Sequence, residues 1–138
     1  MVMKKISGLT LLELLVTLSI ISILTLIAYP SYQHHLTQTY RTRAIQNLLL
    51  ISKKLYIYYL HEHSYQNVNI DALLTTTIKH DQRYHYSIEN LTVQTYQLIA
   101  TPLAQQAKND QTCGKLFINQ FGEKDISGDG KLSDCWPT

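Results

Sequence analysis

A chain of 138 residues is short for more than one domain. Its formal charge of +2 comes from the pair Lys4-Lys5 at the extreme N-terminus; from Leu9 onward ten basic side chains balance ten acidic ones. That balance does not argue for a nucleic-acid-binding body, and no Gly/Ser linker, internal repeat or low-complexity tract divides the chain.

From Leu9 to Tyr29 run 21 residues with one charge, Glu13. As a helix this run is about 31 Å long, enough to cross the hydrocarbon core of a bilayer. Lys4 and Lys5 in front of it should hold the N-terminus on the cytoplasmic side and place the rest of the chain outside. Three readings compete. A secretory signal needs a small-x-small cleavage site, and Leu26-Ile27-Ala28 offers leucine where a small residue belongs. A plain anchor leaves Glu13 unexplained, because a carboxylate within a span costs at least about 2.5 kcal/mol and is a functional-site hypothesis by default. The third is a segment cut on its cytoplasmic side, leaving the helix on the mature protein.

The stretch Lys4-Lys5-Ile6-Ser7-Gly8-Leu9-Thr10-Leu11-Leu12-Glu13 resembles the type III leader of type IV pilins and type II secretion pseudopilins. The resemblance implies removal of residues 1–8 by cleavage between Gly8 and Leu9, N-methylation of Leu9, and a glutamate fifth in the mature chain. The family usually has Phe where this chain has Leu9, a milder departure than a polar residue. In the family this glutamate is thought to set the register of each subunit against the next. Physically, Glu13 would lie about 6 Å along the helix from the mature amine. That amine, methylated, stays cationic at neutral pH. A carboxylate facing a neighbour's amine in a dry bundle can be compensated; the alternative is a glutamate that snorkels to water.

Pro30 should bend the helix rather than end it, by deleting the bond to the carbonyl of Leu26. Beyond it Leu36, Tyr40, Ala44, Leu48, Ile51, Leu55 and Tyr59 recur at spacings of three and four, an apolar stripe, with Arg41, Arg43, Gln46, Lys53 and Lys54 mostly off it. One helix is expected from about residue 10 to about residue 62. The family resemblance agrees, since pilins use such a helix, with a proline near this point, as filament core and as spine of a globular head.

His61 to Ser64 open a loop, and residues 69–75 suggest a short helix. Tyr84, Tyr86 and Ile88 then alternate with Arg83, His85, Ser87 and Glu89; Tyr96, Leu98 and Ala100 repeat the pattern after a short turn at residues 89–91; Leu116 and Ile118 suggest a third strand ending at Gly122. Period-two patterning of this kind reads as an antiparallel meander with one buried face, and the helix stripe is its natural cover. The fold class is α+β. The order Tyr58-Tyr59, Ser64-Tyr65, Tyr96 to Pro102, Cys113-Gly114-Lys115-Leu116 and Cys135-Trp136 resembles PilE-like type IVa minor pilins, which implies the pilin fold: a long N-terminal helix on an antiparallel sheet of three to four strands.

Cys113 and Cys135 are the only cysteines. Outside the cytoplasm disulfides persist, and a bridge closing about 23 residues would stabilise by roughly 3 kcal/mol on the chain-entropy view. Two free or metal-bound thiols are the alternative, with spacing unsuited to a metal site. A soluble part of residues 31–138 is near the size where one core is marginal, so a staple would help. The six histidines include no His-Glu-x-x-His, and no Gly-x-Ser-x-Gly or phosphate-cradling glycine loop occurs. Asp125, Ser127 and Asp129, followed by Gly130, match the start of a calcium loop, but Trp136 stands where its bidentate Glu belongs. The bland reading is a polar turn with Gly128 and Gly130 at positive φ. The ten tyrosines, with Tyr56, Tyr58, Tyr59 and Tyr65 close together, read as core and rim packing or as a ligand platform.

The expectation is therefore a minor pilin and no enzyme: residues 1–8 leader, 9–30 membrane and filament-core helix, 31–138 head. Its expected partners are other pilin subunits, a prepilin peptidase/methyltransferase and the inner membrane, with the head in the periplasm and later on an extracellular pilus. No cofactor or metal is expected. Adhesion, twitching motility and DNA uptake remain open as roles, and Lys53-Lys54 alone is too little for a DNA surface. The alternatives are a type II secretion pseudopilin and a membrane-anchored binding module.

Overall fold

The structure, a computed structural model, describes residues 8–137. The leader residues 1–7, with Lys4 and Lys5, lie outside the described residues. The first helix, α1, runs Leu11–Glu62 and continues through Pro30. The chain divides into two compact units, one ending at His35 and the other beginning at Leu36.

In the first unit the helix is predominantly apolar on every side from Leu11 to Tyr29. Leu11 is 80% exposed and Leu26 77%, and the segment is long and apolar enough to cross a membrane. Its hydroxyls turn inward on the helix: Thr17 donates to Leu14 O, Ser19 to Leu15 O, Ser22 to Leu18 O and Thr25 to Ile21 O, at 2.7–2.9 Å. In lipid that matters, because an unbonded polar group has no water to turn to. The polar side chains of the span are thus satisfied within one turn, leaving Glu13 as its one charge.

In the second unit, α1 from Leu36 onward buries Thr37, Ala44, Ile45, Leu48, Ile51 and Leu55. It ends where His63 takes a left-handed φ of 53° and returns its N–H to Tyr59 O. Short helices α2 (Ile70–Leu73) and α3 (Thr76–Lys79) follow, the first capped by the Asn69 side chain on Asp71 N. A four-stranded antiparallel meander of order β1-β2-β3-β4 then forms from β1 (Tyr84–Glu89), β2 (Gln97–Pro102), β3 (Leu116–Asn119) and β4 (Lys124–Ile126), with α4 (Ala104–Asn109) between β2 and β3 and α5 (Leu132–Cys135) after β4. The register aligns Tyr86, Ala100 and Leu116 in one row and Ile88, Leu98 and Ile118 in the next. These residues pack with Leu48, Ile51 and Leu55 as one core. Each fully buried leucine or isoleucine contributes about 1.5–3 kcal/mol.

Several expectations need correction. Arg41 does not lie off the packed face: its guanidinium is drawn in to the buried Asp110 carboxylate. The β1–β2 connection is longer than a short turn, because Thr92 and Thr95 close their own loop, with Thr92 N on Thr95 O at 2.9 Å and their hydroxyls 2.7 Å apart. Gly128 and Gly130 do not take positive φ; the glycines that do are Gly114 and Gly122. Gly128 and Gly130 instead let the chain pass against Thr112, whose carbonyl oxygen would stand 2.1 Å from a β-carbon at Gly128 and 2.8 Å from one at Gly130. The helices α3, α4 and α5 are too short to show a helical period in sequence.

Candidate functional site

The chain carries three places with chemistry. At the N-terminus, Gly8, Leu9 and Thr10 are exposed and precede the helix. Thr10 Oγ1 accepts the Glu13 N–H at 3.2 Å, so threonine caps the helix as its type and spacing favour. Glu13 is exposed on the first turn. Among the described residues nothing bonds its carboxylate, so any partner must come from outside them.

The second place is the C-terminal loop. Cys113 and Cys135 form a disulfide with Cα atoms 5.6 Å apart, and both are buried. The loop is laced to the strands beside it: Lys115 N donates to Ser127 Oγ at 2.8 Å, Gly128 N to Cys113 O at 3.1 Å, and Trp136 Nε1 to Asp125 O at 3.2 Å. Asp125 Oδ1 accepts Ile126 N at 2.9 Å. The Ser127 hydroxyl and both Asp125 oxygens named here therefore serve the loop's own hydrogen bonding. Among the described residues no three His, Cys, Asp or Glu side chains converge as metal ligands.

The third place was not singled out in sequence. A groove of about 550 Å³ lies between α1, which supplies Tyr40, Arg43 and Asn47, and the α3–β1 segment, which supplies His80, Asp81 and Arg83. The Arg83 guanidinium lies over the Tyr40 ring, 4.6 Å from its centroid. Asp81 is turned to its own segment, accepting Arg83 N at 2.8 Å and the Tyr86 hydroxyl at 3.2 Å. Arg41 is paired with Asp110, and no carboxylate is paired with Arg43 or Arg83 among the described residues. The signal was present as Arg41-x-Arg43 and as Lys79-His80-Asp81-Gln82-Arg83; it takes the fold to bring the two tracts together.

A buried polar network ties α1 to α4 and β1. Gln106 Nε2 donates to Thr37 O at 3.1 Å and to the Tyr84 hydroxyl at 3.0 Å, and the Tyr84 hydroxyl donates to Asp110 Oδ2 at 3.3 Å. Burial pushes the Asp110 carboxyl above its ordinary range, against the opposing pull of Arg41, Tyr84 and Gln106. Burial likewise raises the Tyr84 and Tyr86 hydroxyls, keeping both neutral donors. The tyrosines nearer the end of α1 pack on one another: Tyr59 stacks on Tyr65 at 4.7 Å, and Tyr65 meets Tyr96 edge-on at 4.8 Å.

Residues 30–117 match the family model described as type IV minor pilin ComP, DNA uptake sequence receptor. The chain belongs to this family. It is a minor type IV pilin, and residues 3–29 match the prokaryotic N-terminal methylation motif. Family and motif together imply assembly into a pilus with other pilins and membrane anchoring through the apolar helix. Among solved structures, the non-core minor pilin PilV of Neisseria meningitidis is similar with a TM-score of 0.56 at 16% identity, over 68% of this chain and 89% of that one. A type IV pilin from Shewanella oneidensis gives 0.55 at 20% identity, over 74% of this chain and 99% of that one. At these identities the likeness is one of fold. No curated protein matches the chain. The minor pilin's family and fold are those of structural subunits, and the secretion-pseudopilin reading gains no support from these matches.

Proposed function

We propose that this minor pilin is held in the inner membrane with its head in the periplasm, is cut between Gly8 and Leu9 by a prepilin peptidase, is methylated on Leu9, and enters a type IV pilus through its N-terminal helix. Residues 9–30 form the membrane and filament-core half of that helix, Pro30 its bend, and residues 31–138 the head. Glu13 sets register by pairing with the methylated amine of a neighbouring subunit. The observation that carries this reading is the methylation motif over residues 3–29 running directly into the pilin family over residues 30–117. The exposed, non-helical Gly8–Leu9 peptide supports it too, since a peptidase needs an extended bond. Intact mass of the membrane form should equal residues 9–138 plus one methyl group. A mature protein that keeps Met1 to Gly8, or one cut near Ala28, contradicts the reading.

The role within the pilus is DNA uptake. The family's description as a DNA uptake sequence receptor supports it. From Leu36 on, ten basic side chains oppose nine acidic ones, so contact with DNA must come from a local arrangement of cations rather than from net charge. Cells lacking this chain should keep their pili and lose DNA uptake. Uptake at the normal level without the chain contradicts the role.

A further inference from the structure

We propose that the outer edge of β1 is a docking strip for an extended segment of another protein, which joins the sheet as a further strand in the groove between β1 and the α2–α3 segment.

The ladder fixes which groups face outward. Leu103 N donates to Arg83 O at 2.8 Å, and these two residues continue the β1–β2 register one step past the pair Tyr84 and Pro102. In an antiparallel pair, bonded and non-bonded partners alternate. His85, Ser87 and Glu89 therefore bond β2, while Tyr84, Tyr86 and Ile88 turn their N–H and C=O groups away from it. Tyr84 N is met by Asp81 Oδ1 at 3.4 Å. Among the described residues no bond reaches the outward N–H or C=O of Tyr86 or Ile88. Tyr86 is only 3% exposed, so these groups have little water to turn to, and a buried backbone group without a partner is rare and costly.

The surroundings suit a strand. Beside this edge lies a groove of about 460 Å³, walled by Ile70, Leu74 and Ile78 and floored by β1. Sheet edges are normally guarded by a covering element, a lysine or a proline. The opposite edge is guarded: α5 packs on β4, Trp136 Nε1 bonds Asp125 O at 3.2 Å, and β4 opens with Lys124. β1 contains neither proline nor lysine. Its edge is also held in place, since the Tyr86 hydroxyl takes the Asn47 Nδ2 proton at 2.8 Å and donates to Asp81 Oδ2 at 3.2 Å. A rigid edge lowers the ordering cost of binding.

These features define the partner. Donors and acceptors alternating at strand spacing are matched by another extended backbone, the mode of strand addition. Paired residues on neighbouring strands point to one face. Partner residues opposite Tyr86 and Ile88 therefore meet the wall of Ile70, Leu74 and Ile78 and should be apolar, while those between them lie beside His85 and Ser87 and should be polar. The partner is another protein, because every strand among the described residues already belongs to the sheet and the second edge is covered.

The test is residue-resolved amide exchange on the full-length chain in detergent, with Trp136 emission as the check on folding. In the free chain Tyr86 and Ile88 amides should exchange about a hundredfold faster than that of Ser87. The probe is a peptide alternating valine and threonine with a lysine at each end. It should protect Tyr86 and Ile88, and N-methylation of its bonds that face β1 should weaken binding roughly tenfold. Leu74→Asp places a charge in the wall and should weaken binding by a similar factor, whereas Phe121→Ser, on the exposed β3–β4 turn, should bind as wild type. The N-methylated peptide needs no altered protein, so it decides the matter even if Leu74→Asp misfolds. Equal exchange at Tyr86, Ser87 and Ile88 in the free chain would mean that the edge is already closed and overturns the proposal. So does equal binding of the N-methylated peptide, or no protection at about 1 mM peptide. Protection that appears without peptide as the chain is concentrated would assign the edge to a second copy and overturn the choice of partner.

Discussion

At Gly128 a β-carbon would meet the Thr112 carbonyl oxygen at 2.1 Å, and that oxygen belongs to backbone held next to Cys113. Neither partner yields without moving the disulfide loop. Gly128→Ala should therefore cost about 1–3 kcal/mol, as overpacking does. Gly122 differs: a β-carbon there meets nothing within 4 Å, and only its φ of +77° resists substitution. Gly122→Ala should cost about 1 kcal/mol. Thermal unfolding followed through Trp136, the one tryptophan and a buried one, should rank Gly128→Ala as the more harmful. The reverse order would mean that backbone conformation, not contact, governs the loop. The two glycines illustrate what sequence leaves hidden. Glycine in a polar turn suggests positive φ, but at Gly128 the reason is a long-range approach that no local pattern encodes.

Among the elements, α1 and the meander were legible and their cross-links were not. Spacings of three and four from Leu36 to Tyr59 marked the face that the sheet covers, and alternation at Tyr84, Tyr86 and Ile88 marked the strand face that covers it. Arg41 broke that logic, because a charge on the helix reads as solvated until its partner Asp110 is known to be buried beside it. Removing either side of such a pair strands the other, so Asp110→Ala should cost about 3–5 kcal/mol, whereas Arg41→Met with Asp110→Leu should recover most of it. Urea unfolding of the single and double variants measures this, and a double variant as unstable as Asp110→Ala contradicts it. The pH dependence has a definite sign. Folded Asp110 holds its proton to higher pH than the ordinary 3.8 of the unfolded chain. Its contribution is fully present below pH 3.8 and is lost as pH rises through the raised value. Relative to Asp110→Asn, wild type should lose stability as pH climbs across that interval. A difference that grows with pH would mean that pairing with Arg41 outweighs burial.

For the molecule as a whole, the disulfide bears on the head, and the proposed registry role of Glu13 bears on the filament. Cys135→Ser opens a loop whose closure is worth roughly 3 kcal/mol, and Trp136 next to it should show the loss as a lower Tm of the reduced or mutated head. The long apolar run and its lone glutamate were readable in sequence, because a bilayer imposes length and polarity on consecutive residues. The basic groove was not, since Arg43 and Arg83 meet only after the chain folds. The central claim is that the N-terminal helix assembles rather than merely anchors, and Glu13→Val tests it most directly. As an anchor the variant helix loses an intramembrane charge and should insert at least as well. As an assembly helix it leaves a neighbour's amine buried without a partner, at about 3–5 kcal/mol, and each 1.4 kcal/mol is about tenfold in incorporation. The measurement is the ratio of this chain in sheared filaments to that in membranes. The account predicts Glu13→Val made, cleaved and membrane-bound, with that ratio down by orders of magnitude; entry into filaments at the wild-type ratio would contradict it.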